Sequence, residues 1–96
     1  MNNDISAGTL LRARVNVAAI KTLNNASENI FYVNLNTFVL VLNDDLITDS
    51  EIFSELKYCL THQGPAYIAE QNLINTILFT VVSRGEKEEK EEPWIL

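Results

Sequence analysis

Cysteine, histidine and glycine are scarce in this sequence. It holds one cysteine, Cys59, and one histidine, His62, so no disulfide can form within the chain. A structural zinc site needs about four ligands, mostly from these two residue types. The three glycines stand far apart, and none belongs to a glycine-rich phosphate-binding motif. The sequence therefore predicts no metal centre, no nucleotide-binding loop and no cofactor.

Basic residues are also few. Seven lysines and arginines stand against thirteen aspartates and glutamates, which gives a formal net charge of −6. Arg12 and Arg14 form the only closely spaced basic pair in residues 1–85, whereas proteins that bind nucleic acids neutralise phosphates with clustered cations. We therefore expect no direct nucleic-acid binding. The acidic balance favours a protein partner with a basic surface.

Long apolar runs are absent as well. The longest, such as residues 38–42, are far shorter than the ~20 residues that a membrane-spanning helix needs. Residues 1–6 (MNNDIS) have neither the basic nor the apolar region of a signal peptide. These two features predict no membrane association and a cytoplasmic location.

Residues 47–64 have the pattern of an amphipathic helix. Thr48 and Glu51 show the T-x-x-E spacing of a capping box, and Gly64 followed by proline is typical of a helix end. At about 100° per residue, five apolar residues fall within an arc of roughly 120°: Ile52, Phe53, Leu56, Cys59 and Leu60. This pattern predicts a helix over residues 49–62, with a buried, inert Cys59 thiol on its apolar face.

A second helix is predicted over residues 65–83. Ala69, Leu73, Ile77 and Val81 recur every four residues, a spacing that places them on one helix face. The β-branched residues near the end of this segment favour a strand over residues 76–83 instead. Periodicity is the slightly stronger of the two signals, so the helix is preferred.

The N-terminal half shows the signature of strands. Apolar and polar residues alternate from Leu11 to Val17, and residues 30–42 are rich in β-branched and aromatic side chains. Within the latter segment, residues 34–36 form either a turn between two short strands or a polar part of one long strand.

The predicted fold class is α+β. A small antiparallel sheet of two or three strands, from residues 9–42, packs on an antiparallel helix pair over 49–62 and 65–83. The alternative is an all-α four-helix bundle. Residues 1–85 would form one globular domain and residues 86–96 a C-terminal tail. Open sheet edges and surplus apolar helix surface favour a homodimer.

Polar residues around the first predicted helix are candidates for partner binding. Glu51, Glu55, Tyr58 and His62 form a stripe along one helix edge, and Asp44 and Asp45 precede the helix. An acid–base group could be drawn from the stripe, but the sequence supplies no pocket for it. We therefore assign no catalytic residue, and we interpret the stripe as a solvated face that is suited to contact with a basic partner.

The tail has an acidic spacer and an apolar tip. Residues 86–92 carry five glutamates and two lysines, and Pro93, Trp94, Ile95 and Leu96 follow. In general form it is similar to the acidic, apolar-tipped tails of single-stranded-DNA-binding proteins, although the non-basic body departs from that family. Tryptophan is among the best interface anchors. The tip is predicted either to bind a partner or to fold back on the protein's own core.

These features together predict a non-enzymatic protein-binding module, an inhibitor or an adaptor. One version is an acidic phage anti-defence protein that masks the basic nucleic-acid-binding surface of its partner. The alternatives are a small ligand-binding or enzymatic domain, with a pocket between sheet and helices, and a structural or assembly subunit of a virion or complex.

Overall fold

The computed structural model describes residues 5–23, 28–49 and 54–84. Within these residues the chain forms an antiparallel sheet of eight strands and one short helix. The strands are β1 (Leu10–Ala13), β2 (Val17–Ile20), β3 (Ile30–Val33), β4 (Phe38–Val41), β5 (Ile47–Asp49), β6 (Ser54–Thr61), β7 (Gly64–Ala69) and β8 (Phe79–Ser83), and α1 is Glu70–Leu73. The order across the sheet is β3-β2-β7-β6-β4-β1-β8, and β5 pairs with β6 beside this path.

The predicted helix pair is wrong, and so is the all-α alternative. The segment predicted as helix 49–62 contains the end of β5 and all of β6. The segment predicted as helix 65–83 contains β7, the single turn of α1 and β8. The prediction of two or three strands over residues 9–42 was too low, because that region holds four.

Pairing on both sides explains why β6 is a strand. It lies between β7, which follows it after a two-residue turn, and β4, which is distant in sequence, and its backbone groups hydrogen-bond to both. Its side chains alternate between the two faces, with Leu56, Tyr58 and Leu60 on one and Lys57, Cys59 and Thr61 on the other. A strand with apolar residues on both faces can show the same spacing of apolar residues as one face of a helix. For this reason the periodicity predicted a helix where the chain forms a strand.

A bent hairpin forms the N-terminal half. β1 pairs with β4, β2 pairs with β3, and residues 14–16 and 34–37 connect the two parts. The bend is fastened by backbone hydrogen bonds, since Asn36 N–H donates to Ala13 O over 2.8 Å and Ala13 N–H donates to Thr37 O over 2.9 Å. Asn36 has a φ of 71°, in the left-handed region that asparagine tolerates. Of the two predicted alternatives, residues 34–36 therefore adopt the turn.

One face of this sheet carries the main core. The buried residues of that core come from most strands and from α1, among them Leu11, Ala13, Val39, Val41, Cys59, Ala66, Ile68, Leu73 and Phe79. A smaller cluster of Ile20 and Leu56, with Leu23, Tyr67 and Ala69 packed against it, covers part of the opposite face. We call the face with the main core the inner face and the opposite one the outer face.

Gly64 has the backbone conformation that the sequence predicted, but in another setting. Its φ is 100°, and it follows the tight turn at His62 and Gln63 between β6 and β7. The turn is held by Thr61, whose Oγ1 donates to Gly64 O over 2.8 Å and accepts from Gln63 N–H over 3.1 Å. Left-handed glycine is typical of such hairpin turns as well as of helix ends.

Thr9 gives a first stability prediction. Its side chain is fully buried, and its Oγ1 has no hydrogen-bond partner among the residues that the structure describes. A buried hydroxyl without a partner destabilises the fold through its lost hydration. We therefore expect Thr9→Val, which keeps the shape and removes the hydroxyl, to raise the free energy of unfolding by about 1 kcal/mol. Urea denaturation measures the change, and an equal or lower stability would contradict it.

In the part of the chain that the structure describes, no helix has the length and the apolar character needed to cross a lipid bilayer.

Candidate protein-docking groove

A row of leucines crosses the outer face of the sheet. Leu10 on β1 is directly opposite Leu40 on β4, and Leu40 is directly opposite Leu60 on β6. Residues that pair directly across strands project from the same face. Leu11 and Cys59, the sequence neighbours of two of these leucines, are fully buried in the inner core. The leucine row is therefore turned away from the main core and toward solvent.

These leucines line an open groove of about 490 Å³. Its walls are Leu10, Phe38, Leu40 and Leu60, and Asn36, Thr37, Thr61 and His62 complete the lining. We call it the leucine groove. Two of its wall residues are strongly exposed for large apolar side chains, Phe38 at 51% and Leu60 at 41%. Contiguous exposure of this kind is typical of surfaces that bind another molecule.

The polar rim of the leucine groove is held in place by contacts within the fold. The ring of His62 meets the ring of Phe31 edge-on, with 6.4 Å between centroids. Thr37 Oγ1 donates to Asn34 O over 2.6 Å. Arg12 is exposed on β1, directly opposite Phe38 and on the same face as Leu10. The groove thus combines apolar walls with a cation at its margin.

A second apolar depression lies farther along the outer face. It has a volume of about 200 Å³, and its lining includes Ile20, Ile30, Leu56 and Tyr67. Tyr67 contacts Tyr58 of the neighbouring strand, with ring centroids 5.1 Å apart. The outer face therefore carries apolar surface from β1 and β4, through the tyrosine pair, to β2 and β3.

The predicted polar stripe is wrong as a geometric unit. On a strand, Glu55 and Tyr58 project from opposite faces because they are three residues apart. Glu55 and His62 are seven residues apart, which corresponds to about 23 Å along an extended chain. Glu55 is exposed, Tyr58 is half-buried on the outer face, and His62 is exposed in the turn after β6. Of the three stripe residues that the structure describes, only His62 lines the leucine groove.

The acidic candidates occupy the loop between β4 and β5. Asp44 and Asp45 are both exposed there. Asp44 Oδ1 accepts a hydrogen bond from Ala7 N–H over 2.6 Å, and Asp45 N–H donates to Asn43 Oδ1 over 2.7 Å. Their predicted place before a helix is wrong, since β5 follows them. They fasten the loop and keep carboxylate oxygens at the surface.

Glu51, Trp94, Ile95 and Leu96 lie outside the described residues. The same holds for residues 86–92 of the predicted tail.

Cys59 is buried, as predicted. Its side chain has no solvent exposure, and the thiol donates a weak hydrogen bond to Lys57 O over 3.5 Å. Burial raises the pKa of the Cys59 thiol to about 12, although the positive charge of Lys57 lowers it in part. A thiol that stays protonated and enclosed does not act as a nucleophile. The described residues also contain no group of three or more His, Cys, Asp or Glu side chains that could hold a metal ion.

Leu10, Phe38, Leu40 and Leu60 were not predicted as site residues. One signal for them was present, because residues 38–42 are apolar at consecutive positions and a strand of that kind must cover both of its faces. Over residues 5–23, 28–49 and 54–84 the chain forms one sheet and one short helix, and the main core covers one face of that sheet.

Comparisons of this chain with protein-family models, with curated proteins and with solved structures find no significant match.

Proposed function

We propose that this chain is a non-enzymatic protein-binding module, an inhibitor or an adaptor, that engages its partner through the leucine groove. The observation that supports this function is the row of half-buried Leu10, half-buried Leu40 and exposed Leu60, which lies beside the exposed Phe38 on a sheet face. Half-exposed apolar walls gain most when another protein's apolar side chain covers them. The partner would therefore contribute an aromatic or aliphatic anchor.

Charge supplies the second part of the proposal. The chain has a net charge of −6, and Asp44, Asp45 and Glu55 are exposed toward the end of β6 remote from His62. A standard interface covers roughly 800 Å² on each partner, enough to include both the groove and part of this acidic surface. Lysines and arginines around the anchor of the partner would then meet these carboxylates and guide association.

In its specific form the proposal is a phage anti-defence protein, acting in the cytoplasm, that masks a basic nucleic-acid-binding surface. The acidic balance supports this form, because a surface that binds phosphates also attracts carboxylates. A homodimer that presents two grooves is compatible with it.

Affinity capture with two matched variants tests the proposal. Leu60→Glu places a charge in the groove, and Ile77→Glu places the same charge at a residue that is 72% exposed and outside the groove lining. We expect a specific protein to be captured by the unchanged chain and by Ile77→Glu, but to be reduced at least tenfold with Leu60→Glu. Because the acidic surface contributes, about 0.5 M salt should weaken the capture.

The two variants need equal folding for this comparison, which circular dichroism and thermal unfolding check. Equal capture by both glutamate variants would exclude the groove as the docking surface. If about 0.5 M salt does not weaken the capture, the acidic surface does not contribute to partner binding. The apolar contact through the leucine groove would then remain.

A small-molecule function is the second candidate. The volume of the groove, about 490 Å³, falls within the usual range for ligand sites. Its location corrects the predicted pocket between sheet and helices, because the helix pair is not formed. A thermal-shift screen with small apolar compounds separates the candidates. A reproducible rise in Tm with one compound, lost in Leu60→Glu, would favour the ligand-binding function.

A further inference from the structure

Strand β8, the last in chain order, ends beside the leucine groove. Ser83, at the end of β8, is directly opposite Leu10 on β1. Leu10 is a wall of the groove, and Leu40 and Leu60 continue the same row on the next two strands. The described chain therefore ends, one residue after Ser83, beside the strand that carries the Leu10 wall.

The intervening chain is long enough for its tip to reach the groove. Neighbouring strands are about 4.8 Å apart, so Leu40 lies roughly 10 Å and Leu60 roughly 14 Å from Ser83 across the sheet. The nine residues 85–93 span about 30 Å when extended and about 13 Å when helical. In either conformation residues 94–96 can be placed over Leu10 and Leu40.

The chemistry of the tip matches that of the groove. Trp94, Ile95 and Leu96 are three consecutive large apolar residues, and the groove presents three leucines and Phe38. An indole ring beside Phe38 would add an aromatic pair contact to the buried apolar area. Apolar residues on an otherwise acidic segment gain most from a partner that removes them from water.

The charges match as well. Residues 86–92 have a net charge of −3, from five glutamates and two lysines. Arg12, an exposed residue of β1, is directly opposite Phe38, a wall residue of the groove. A spacer that crosses from β8 toward β4 on the outer face passes over β1, the strand that carries Arg12.

We propose that Trp94, Ile95 and Leu96 occupy the leucine groove of their own chain, with the acidic spacer passing Arg12. Tethering favours this occupant, because a short linker gives an effective concentration of about 1 mM. A tip with an intrinsic dissociation constant of about 0.1 mM would then fill roughly 90% of the grooves. This inference goes beyond the proposed function and does not rest on it.

If the groove also binds a partner, the tip competes with that partner. A groove that is about 90% occupied binds an external partner roughly tenfold more weakly than an empty one. Removal of residues 86–96 would then strengthen partner binding by about that factor. The tail would act as a built-in competitor rather than as a hook for other proteins.

Trp94 provides a direct test, because it is the only tryptophan in the chain. We expect its fluorescence in the full chain, at low micromolar concentration, to be blue-shifted from that of free N-acetyltryptophanamide. We also expect it to be at least threefold less accessible to acrylamide, a neutral quencher to which the acidic spacer is indifferent. Leu60→Glu should shift the emission to the red and restore quenching, whereas Ile77→Glu should change neither.

Phe38→Ser serves as a second groove variant in case Leu60→Glu does not fold, because Phe38 is half exposed and its replacement removes little of the core. Emission and quenching of Trp94 in the unchanged chain that equal those of the free amide would overturn the proposal. The proposal would also be overturned if Trp94 stays protected from acrylamide in a groove variant that is folded. Protection that appears only at higher concentration, together with a dimer mass in light scattering, would assign the groove to the tip of a second copy and reject the intramolecular contact.

Discussion

Replacing Ile68 by alanine is expected to lower the free energy of unfolding by about 2–5 kcal/mol, whereas the same replacement at Ile77 should change it by less than about 0.5 kcal/mol. Ile68 lies in the middle of β7, is 1% exposed and packs in the main core. Its truncation removes buried methyl groups and leaves a cavity that the paired strands cannot close. Ile77 is 72% exposed in the connection between α1 and β8.

The two isoleucines also distinguish the observed fold from the predicted helix. In a helix over residues 65–83, Ile77 would share the apolar face with Leu73 and would be costly to truncate. Urea denaturation of both variants, analysed with equal m-values, measures the difference. A larger loss at Ile77 than at Ile68 would contradict the strand arrangement. Circular dichroism of the unchanged chain should show a spectrum dominated by β-structure.

The stability of the fold is expected to fall with rising pH above about pH 9 because of Cys59. The pKa of this thiol is raised from 9.0 to about 12 by burial. In that interval the unfolded chain loses the thiol proton while the folded chain keeps it, so the unfolded state is favoured increasingly. The free energy of unfolding should decrease by about 1.4 kcal/mol per pH unit, up to about 4 kcal/mol at pH 12. Below about pH 9 the contribution of Cys59 is constant.

Comparison with Cys59→Ala isolates this effect from the titration of tyrosines and lysines. The variant has no thiol, so between about pH 8 and pH 11 the unchanged protein should lose about 3 kcal/mol more stability than Cys59→Ala. Denaturant unfolding at both pH values measures the four free energies. Parallel pH dependences of the two proteins would show that the thiol ionises in the folded state without penalty. In native protein at neutral pH, Cys59 should also react with a thiol reagent only as fast as the chain opens.

Local signals explain most of what could be predicted. Residues 30–42 are rich in β-branched and aromatic side chains, and they form strands on both sides of the turn at 34–36. The left-handed conformation of Gly64 follows from glycine's lack of a Cβ. The burial of Cys59 was also predicted correctly. This prediction did not depend on the helix, because Cys59 lies among apolar positions in the predicted helix and on the core face in the observed strand.

The predictions failed where distant strands determine the conformation. Lys57 is an example. Lysine has a high helix propensity, and its charge favours an exposed position. In the structure it is 5% exposed, and its Nζ donates to Asp44 O over 2.9 Å. That hydrogen bond requires the β4–β5 loop to lie over β6, an arrangement that residues 54–61 do not encode locally. The helical stripe was predicted wrongly for the same reason, because Glu55, Tyr58 and His62 do not share one edge when residues 54–61 form a strand.

The sequence by itself determined the acidic balance, the strand character of the N-terminal half, the position of the turn at Gly64 and the burial of Cys59. Each of these depends on composition, on a period-2 pattern or on the steric freedom of one residue. Only the tertiary structure decided that residues 54–61 are a strand, because both helix and strand bury their apolar residues and pairing with β4 and β7 selects between them. Only the tertiary structure brings Leu10, Leu40 and Leu60 together, because the leucine groove depends on the register of three strands and not on sequence spacing.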